Sequence, residues 1–300
     1  SQGRHIETFV GTNLQTALLP PGQRLDPQNY VPFPTFARGS SYAATTGNSS
    51  YHSMQSKYTH RFSKGLDFLA SYTWSKTLTN AGDLLSGGNV QGYRLPGVYN
   101  LRNEMALAPF HVKHAFVLSG SYDLPFGKGK TFLTGLNGIA ETVLGGWSTN
   151  WAWYYYSGQP QGVGCTIATN EGGGCAALRV EGVDPYQDKR DASGFLVMYN
   201  PAAFANPPRA TTIGQTDLAP LGGDRAPVTG PPQRQLDFSI FKNFKLTERF
   251  RLEFRAEAFN LTNSVSFGFP NSNFSAANFG RLDSQRNNPR QMQYALKIYF

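Results

Sequence analysis

The segment Arg249–Thr262 alternates apolar and charged side chains with a period of two, and this pattern constrains the fold more than any other stretch. Because successive side chains of a β-strand point to opposite faces of a sheet, one face of this segment is apolar and the other is densely charged. The apolar set is Phe250, Leu252, Phe254, Ala256 and Ala258. The charged set is Arg249, Arg251, Glu253, Arg255 and Glu257. Such a strand belongs either to a membrane β-barrel or to the half-buried sheet of a soluble protein.

Six further segments carry a comparable alternation and predict antiparallel strands. The predicted strands are 51–62, 66–77, 113–124, 145–158, 234–246, 249–262 and 290–300. Residues 1–50 are interpreted as the end of a preceding strand followed by an external loop rich in Pro, Gly, Ser and Asn. The region 51–300 then forms the C-terminal strands of an all-β domain.

The connections between these strands are sorted by length. Short turns are predicted at 63–65 and 247–248, and a connection of medium length at 125–144. Long loops are predicted at 79–112, 159–233 and 263–289. Outer-membrane barrels place short turns on the periplasmic side and long loops outside, whereas a soluble sandwich has no reason to sort its loops. The sequence therefore predicts an antiparallel transmembrane β-barrel portion of about seven or eight strands.

Composition supports this interpretation over a soluble secreted β-sandwich. Charged residues make up only 15% of the chain, against roughly 25% in a typical soluble domain. Aromatic residues are abundant, with 22 Phe, 15 Tyr and 4 Trp, yet the mean hydropathy is −0.38, as in barrels whose lumen and loops stay polar. The net charge of +8 is spread along the chain. Without a dense Lys/Arg run we expect no nucleic-acid partner, and the scattered charge suits outer-membrane lipid.

The charged set of the 249–262 strand is predicted to face the lumen. Near the bilayer midplane, an Arg on the lipid face would cost about 2–4 kcal/mol. This cost assigns the apolar set to lipid and the ladder Arg249, Arg251, Glu253, Arg255 and Glu257 to the lumen. There we expect cross-strand pairs worth roughly 0.2–1 kcal/mol each; lining a permeation path or holding a plug is the functional alternative.

Aromatic residues of several strands predict an interfacial girdle, and the core of a soluble sheet is the alternative. The girdle residues are Trp74, Trp147, Trp151, Trp153, Tyr155 and Tyr294. Cys165 and Cys175 lie in a Gly-rich segment, where a disulfide across an exposed loop is favoured over two free thiols. A disulfide there requires an oxidising compartment.

No pattern in the chain predicts catalysis, a metal or a cofactor. His111 and His114 are three residues apart, so on a strand they would face opposite sides and not share a metal ion. No G-x-S-x-G motif and no paired acid and His stand out. We therefore expect a protein that is not an enzyme.

Several ordered stretches resemble the C-terminal region of TonB-dependent outer-membrane receptors of the Oar-like branch, which contains a carboxypeptidase-regulatory-like domain. The resembling segments are Gly65–Lys76, Val117–Lys130, Leu144–Pro160, Thr247–Asn263 and Arg290–Phe300. The resemblance implies a receptor that binds and takes up an unidentified ligand across the outer membrane of a Gram-negative bacterium. A structural or adhesive outer-membrane protein without energised transport is the alternative.

The resemblance also implies partners and a larger parent barrel. Family barrels have about 22 strands around a plug, so the seven strands predicted here would be a fragment, with the TonB system contacted through missing upstream regions. Such a fragment would either form an open, curved sheet or close on itself as a small barrel of about eight strands. The terminal residues Tyr294, Leu296, Ile298 and Phe300 resemble the C-terminal signal that the barrel-assembly machinery recognises. Outer-membrane lipid is the remaining expected partner.

Overall fold

The computed structural model describes residues 1–11, 33–37, 41–63, 65–81, 105–165, 175–206 and 225–300. Nine strands form one antiparallel sheet, in which the eight long strands pair with their neighbours along the chain. They are β1 (Gln2–Gly11), β2 (Ser41–Ser63), β3 (Leu66–Thr79), the two-residue β4 (Ala106–Leu107), β5 (His114–Asp123), β6 (Trp147–Tyr156), β15 (Gln233–Lys245), β16 (Arg251–Phe259) and β17 (Gln291–Tyr299). Within the described part of the chain the sheet is open, with β1 and β17 as its edges.

The strand register separates apolar and polar side chains onto two continuous faces. Residues directly opposite each other in an antiparallel pair point to the same side of the sheet. Across the sheet, one face carries Met54, Tyr58, Phe68, Tyr72, Trp74, Phe116, Leu118, Trp151, Trp153, Phe238, Ile240, Leu252, Phe254, Leu296 and Ile298. The other face carries Gln55, Lys57, Ser71, Thr73, Ser119, Ser121, Asn150, Gln235, Asp237, Ser239, Glu253, Arg255, Glu257, Gln293 and Lys297.

Burial in the sheet is inverted relative to a soluble protein. On the apolar face, Tyr294, Leu296 and Ile298 are 66%, 69% and 62% exposed. On the polar face, Glu253 is only 6% exposed. Among the described buried apolar residues, only Ala258 belongs to a long strand. A soluble sandwich would have to cover its apolar face with a second layer, and this sheet leaves that face bare.

Two of the three connections on one end of the sheet are short, and the third is of intermediate length. Gly65, with φ of 83°, closes the turn between β2 and β3, a conformation that Gly adopts without a steric penalty. Residues 246–250 join β15 to β16, and Thr247 Oγ1 accepts hydrogen bonds from the backbone N–H groups of Arg249 and Phe250. Residues 124–146 join β5 to β6 and contain the helix α1 (Ile139–Leu144). No helix in the described ranges is both long and apolar enough to cross a membrane.

The predicted strands are present, and the largest error concerns β2. This strand begins at Ser41 rather than at residue 51, so the predicted boundary at residue 50 falls inside it. Residues 41–50 lack apolar alternation and pair with β1 through a register shifted near Gly3 and Ile6. A second correction is that Arg249 and Phe250 lie in the turn before β16 and not in its alternating run.

The predicted long loop 159–233 contains regular structure where it is described, whereas 263–289 takes part only in isolated bridges. The short strands of the first loop are β7 (Pro160–Gln161), β8 (Gly164–Cys165), β9 (Cys175–Ala176), β10 (Leu178–Arg179), β11 (Tyr186–Arg190), β12 (Leu196–Tyr199), β13 (Phe204–Ala205) and β14 (Val228–Thr229). A 3₁₀ turn covers Pro201–Ala203. Four two-stranded sheets result, pairing β7 with β14, β8 with β9, β10 with β13 and β11 with β12. Of the predicted loop 79–112, residues 82–104 lie outside the described residues.

Candidate functional site: a loop cap and a polar wall

The described residues of the two longest connections, 159–165, 175–206, 225–232 and 264–289, fold together into one unit, here called the cap. Its core contains seven buried apolar residues. They are Val163, Ala177, Tyr199, Ala203, Phe204, Val228 and Phe279. Because Phe279 comes from the second connection and the others from the first, neither connection completes this core alone. The cap therefore has the burial pattern of a small soluble domain.

Backbone hydrogen bonds join the two connections at two places. Gly164 N donates to Ser272 O at 2.9 Å, and Phe274 N donates to Gly164 O at 2.7 Å. Farther along, Met198 N donates to Gly280 O at 2.8 Å. These bonds satisfy backbone groups that burial would otherwise leave unpaired, so the two loops are held in one register.

A polar pair lies inside the cap core. The Tyr199 hydroxyl donates to Gln161 Oε1 at 2.6 Å, and Gln161 Nε2 donates to the Pro270 carbonyl at 2.9 Å. Both side chains are buried, and a buried hydroxyl or amide without such partners would destabilise the fold. Tyr199 thus joins an aromatic cluster with Phe279, 5.8 Å between ring centroids, to a polar contact across both connections.

Asn260 and Ser266 attach the cap to the sheet. Asn260 adopts φ of 52° directly after β16, a left-handed conformation that Asn tolerates better than most residues. Its Nδ2 donates to the carbonyls of Ser264 and Asn288, at 2.9 and 3.0 Å. Ser266 Oγ accepts from Arg234 N at 3.2 Å. The end of β16 is therefore coupled to both ends of the second connection.

The predicted disulfide lies at one margin of the cap. Cys165 is disulfide-bonded, the chain contains two cysteines, and Cys165 pairs with Cys175 in the β8–β9 ladder. The segment between them, 166–174, lies outside the described residues. A covalent closure of this short loop restrains the start of the cap.

The polar face of the sheet is here called the wall, and its ion pairs run along β16. Arg255 Nη2 lies 2.9 Å from Glu253 Oε1, and Arg255 Nη1 lies 3.4 Å from Glu257 Oε1. The expectation of cross-strand pairs is wrong here. Opposite Arg255 the register places Phe241 and Ala295, which offer no charge, so the guanidinium bonds to residues two positions away on its own strand.

The outer members of the predicted ladder behave differently. Arg249 is an exposed turn residue and takes no part in the wall. Arg251 stacks on the Tyr299 ring, with 4.5 Å between its guanidinium carbon and the ring centroid. The ion-paired part of the wall is thus a triplet of residues with one net negative charge, Glu253, Arg255 and Glu257.

A second polar network crosses from β6 to β15 near the cap. The Tyr154 hydroxyl donates to Gln235 Oε1 at 3.1 Å, and Gln235 Nε2 donates to Asp237 Oδ1 at 2.8 Å. Asp237 Oδ1 also accepts from Asn260 N at 2.8 Å. Next to it lies a shallow pocket of about 190 Å³, lined in part by Asp237, Ser239 and Glu257. The network offers hydroxyl, amide and carboxylate groups that can hydrogen-bond a polar solute, while Trp151, Phe238 and Phe259 give the pocket an apolar lining.

The predicted girdle residues all lie on the apolar face, at different heights. Trp147 begins β6 and Tyr155 lies near its other end, while Trp151 lies in its middle. Trp74 lies in the second half of β3, opposite Met54 of β2 and His114 of β5. Tyr294 lies within β17. The girdle role of these six residues stays a prediction. Tyr294, Leu296, Ile298 and Phe300 are all exposed along the free edge formed by β17.

The two histidines considered for a metal do not meet. His111 is 4% exposed, and its Nδ1 accepts from Thr77 N at 3.3 Å. Burial, with Lys113 and Lys76 nearby, lowers the pKa of His111 below its ordinary value. His114 Nδ1 instead hydrogen-bonds the Tyr72 hydroxyl at 2.8 Å. Over the described ranges, no group of three or more His, Cys, Asp or Glu residues is arranged to hold a metal ion.

Sequence patterns missed the residues that organise the cap and one buried base. Tyr199 and Gln161 occur in segments without periodicity, and Asn260 lies at the end of the alternating segment 249–262, so only the folded chain reveals their contacts. Lys242 was placed in the 234–246 strand, but its register position opposite Trp147 puts it on the apolar face. The period of two in that strand, which makes Lys242 share a face with Ile240 and Phe244, is the signal for this position.

An inverted sheet with one bare apolar face and one polar wall defines a protein that spans a membrane with β-strands. In agreement, a family model described as an outer membrane beta barrel domain matches residues 1–293. The chain belongs to this family, and its location is the outer membrane of a Gram-negative bacterium. No curated protein matches the chain. The predicted fold class and location are confirmed.

Proposed function

We propose that this chain is the barrel segment of a TonB-dependent receptor of the Oar-like branch, which binds a ligand outside the cell and takes part in its uptake. The observation that carries the proposal is the cap, in which two long external connections share one core. A surface fixed before binding loses less conformational freedom when the ligand arrives. The resemblance of the strand segments to such receptors supplies the class of activity.

The wall supports the same proposal. Its Glu253–Arg255–Glu257 triplet and the neighbouring Asp237 network provide a hydrophilic surface continuous with the cap through Asn260. The open sheet, with β1 and β17 unpaired on their outer sides within the described residues, is compatible with an arc of a wider barrel. In this proposal the TonB system acts through regions outside these strands, and no covalent chemistry takes place.

The proposed partners include the barrel-assembly machinery. Tyr294, Leu296 and Ile298 present exposed apolar side chains along the unpaired β17 edge, followed by Phe300. An exposed edge with alternating side chains is a template for strand addition by another protein. Outer-membrane lipid is the partner of the remaining apolar face.

Growth competition tests the receptor proposal. Strains lacking either this protein or TonB are compared with wild type on panels of solutes, peptides and glycans supplied as limiting nutrients. A transporter predicts at least one nutrient on which both deletions impair growth equally, with rescue by wild-type protein and not by a variant lacking the cap residues 175–206. Loss of surface attachment only in the receptor deletion, with nutrient use intact, would contradict the proposal and favour the adhesive alternative.

A further inference from the structure

The connection between β5 and β6 carries an apolar surface that the barrel sheet does not account for. Its helix α1 contains no buried residue, and Ile139 and Val143 are 84% and 56% exposed. At 100° per residue, Ile139, Ala140, Val143 and Leu144 occupy one arc of this helix, while Glu141 and Thr142 lie on the other side. An apolar arc of this kind requires an apolar partner.

Two contacts fix α1 beside the lipid-facing side of the sheet. Trp147 Nε1, on the apolar face of β6, donates to the Val143 carbonyl at 2.8 Å. Lys242 Nζ, on the same face of β15, donates to the Gly145 carbonyl and lies 3.5 Å from the Glu141 carbonyl. The last turn of α1 is thus attached to the strands at their short-turn end.

The surroundings of Lys242 accommodate its charge on the apolar face of the sheet. Lys242 is buried, and its Nζ lies 5.6 Å from the Trp147 ring centroid and 5.3 Å from that of Phe244. The ammonium group is therefore surrounded by aromatic faces and by the carbonyls at the end of α1, which replace water as its ligands. A Lys near the end of a transmembrane strand can place its charge at the interface in this way.

The charge of the connection favours a phospholipid surface over a basic protein. Lys128 and Lys130 are exposed, and Lys130 lies 3.5 Å from Asp123. The Glu141 carboxylate is turned inward, where Oε1 accepts from Lys128 N at 2.9 Å. Exposed apolar residues flanked by bases are the pattern of interfacial segments that bind anionic headgroups.

We propose that the connection 124–146 is a membrane anchor, in which α1 lies in the periplasmic leaflet of the outer membrane and inserts Ile139 and Val143 among its phospholipids. The short-turn side of family barrels faces the periplasm, and α1 continues the apolar face already exposed to lipid through Trp147. Lys242 acts as the clamp that holds α1 against the barrel, and Lys128 contacts headgroup phosphates.

Nitroxide labels test this placement in the full chain reconstituted into phosphatidylcholine vesicles with and without phosphatidylglycerol. Ile139→Cys and Val143→Cys labels are expected at about 5–10 Å below the headgroups, with frequent oxygen collisions and few collisions with a water-soluble nickel chelate. Thr142→Cys, on the opposite arc, is the matched control and should behave as a water-exposed site. Adding phosphatidylglycerol should increase the insertion depth of the labels at positions 139 and 143.

A clamp variant separates anchoring from folding. In Lys242→Met, the Ile139→Cys label should become mobile and accessible to nickel while the protein keeps its heat-modifiable migration on gels. Water-like collision behaviour at all three labelled positions in the wild-type background would overturn the proposal. A Lys242→Met protein whose label keeps its depth would overturn the clamp.

Discussion

Substituting Gly280 by Ala should open the cap while leaving the barrel strands folded. Gly280 has φ of 74°, and a Cβ there would lie 2.7 Å from Tyr199 N and 2.8 Å from Tyr199 O. Both distances are far below ordinary contact, and the neighbouring atoms are backbone, which cannot rotate away. The two connections would have to separate at the Met198–Gly280 hydrogen bond.

The cost of this substitution is the sum of three effects. Left-handed φ costs an Ala about 1 kcal/mol more than a Gly. Loss of the Met198–Gly280 hydrogen bond removes about 1 kcal/mol. Displacing Tyr199 from its packing on Phe279 costs about 1–3 kcal/mol, as in overpacked cores. We therefore expect about 3–5 kcal/mol at Gly280, which corresponds to at least a 100-fold increase in cap opening.

Gly182 is the matched control, because its φ is 76° and nothing lies within 4 Å of the added Cβ. Gly182→Ala should cost only about 1 kcal/mol, or about fivefold in opening. The assay is the rate of tryptic cleavage at Arg179 and Arg281 in protein refolded in detergent, where slow cleavage reports the opening equilibrium. Barrel folding is followed in the same samples by gel migration without heating. Equal cleavage rates in the two variants would refute the close approach at Tyr199.

Three further perturbations probe the wall, the loop end and the terminus. Arg255→Met should lower the free energy of unfolding in detergent by about 3–5 kcal/mol, because it leaves Glu253 buried and unpaired; adding Glu253→Gln should recover most of the loss, and an unchanged urea midpoint for the single variant would contradict the ion-pair argument. Because the pKa of His111 is lowered in the folded protein, the unfolded chain binds more protons in acid. The stability that neutral His111 contributes is therefore complete above about pH 6.5 and is lost as the pH falls below it. In His111→Asn this acid-dependent loss of stability, measured by urea titration across pH, should disappear. Removing Phe300 should slow assembly into outer membranes more than folding in detergent, and an equal loss in both assays would argue against an assembly signal.

Alternation alone predicted most of the sheet, because a period of two is a local property of each strand. It located β16 within a few residues and assigned Glu253 and Arg255 to the polar face. It could not find the start of β2, since residues 41–50 are held by backbone pairing with β1 and carry no apolar period. The cap could not be predicted from the sequence for a different reason. Tyr199 and Phe279 are 80 positions apart in the chain, by their numbers, and no local pattern indicates that they meet.

Apolar side chains of this chain leave water in two ways, by packing in a protein core or by contacting lipid, and this explains its composition. In the cap, Tyr199 and Phe204 leave water by packing against Phe279, whereas in the sheet Leu296 and Ile298 remain bare because lipid takes the place of a protein core. The hydrophobic effect stabilises the cap as it does a soluble domain. In the strands, the backbone N–H and C=O groups must pair with one another, because hydrocarbon offers them no hydrogen-bond partner. The two parts should therefore respond differently to the same agent: urea in the aqueous phase acts on the cap directly, whereas the sheet responds to it only as far as its detergent or lipid shell allows. Asn260 and Ser266, which join the cap to the ends of β15 and β16, are the points at which a change in one part is transmitted to the other.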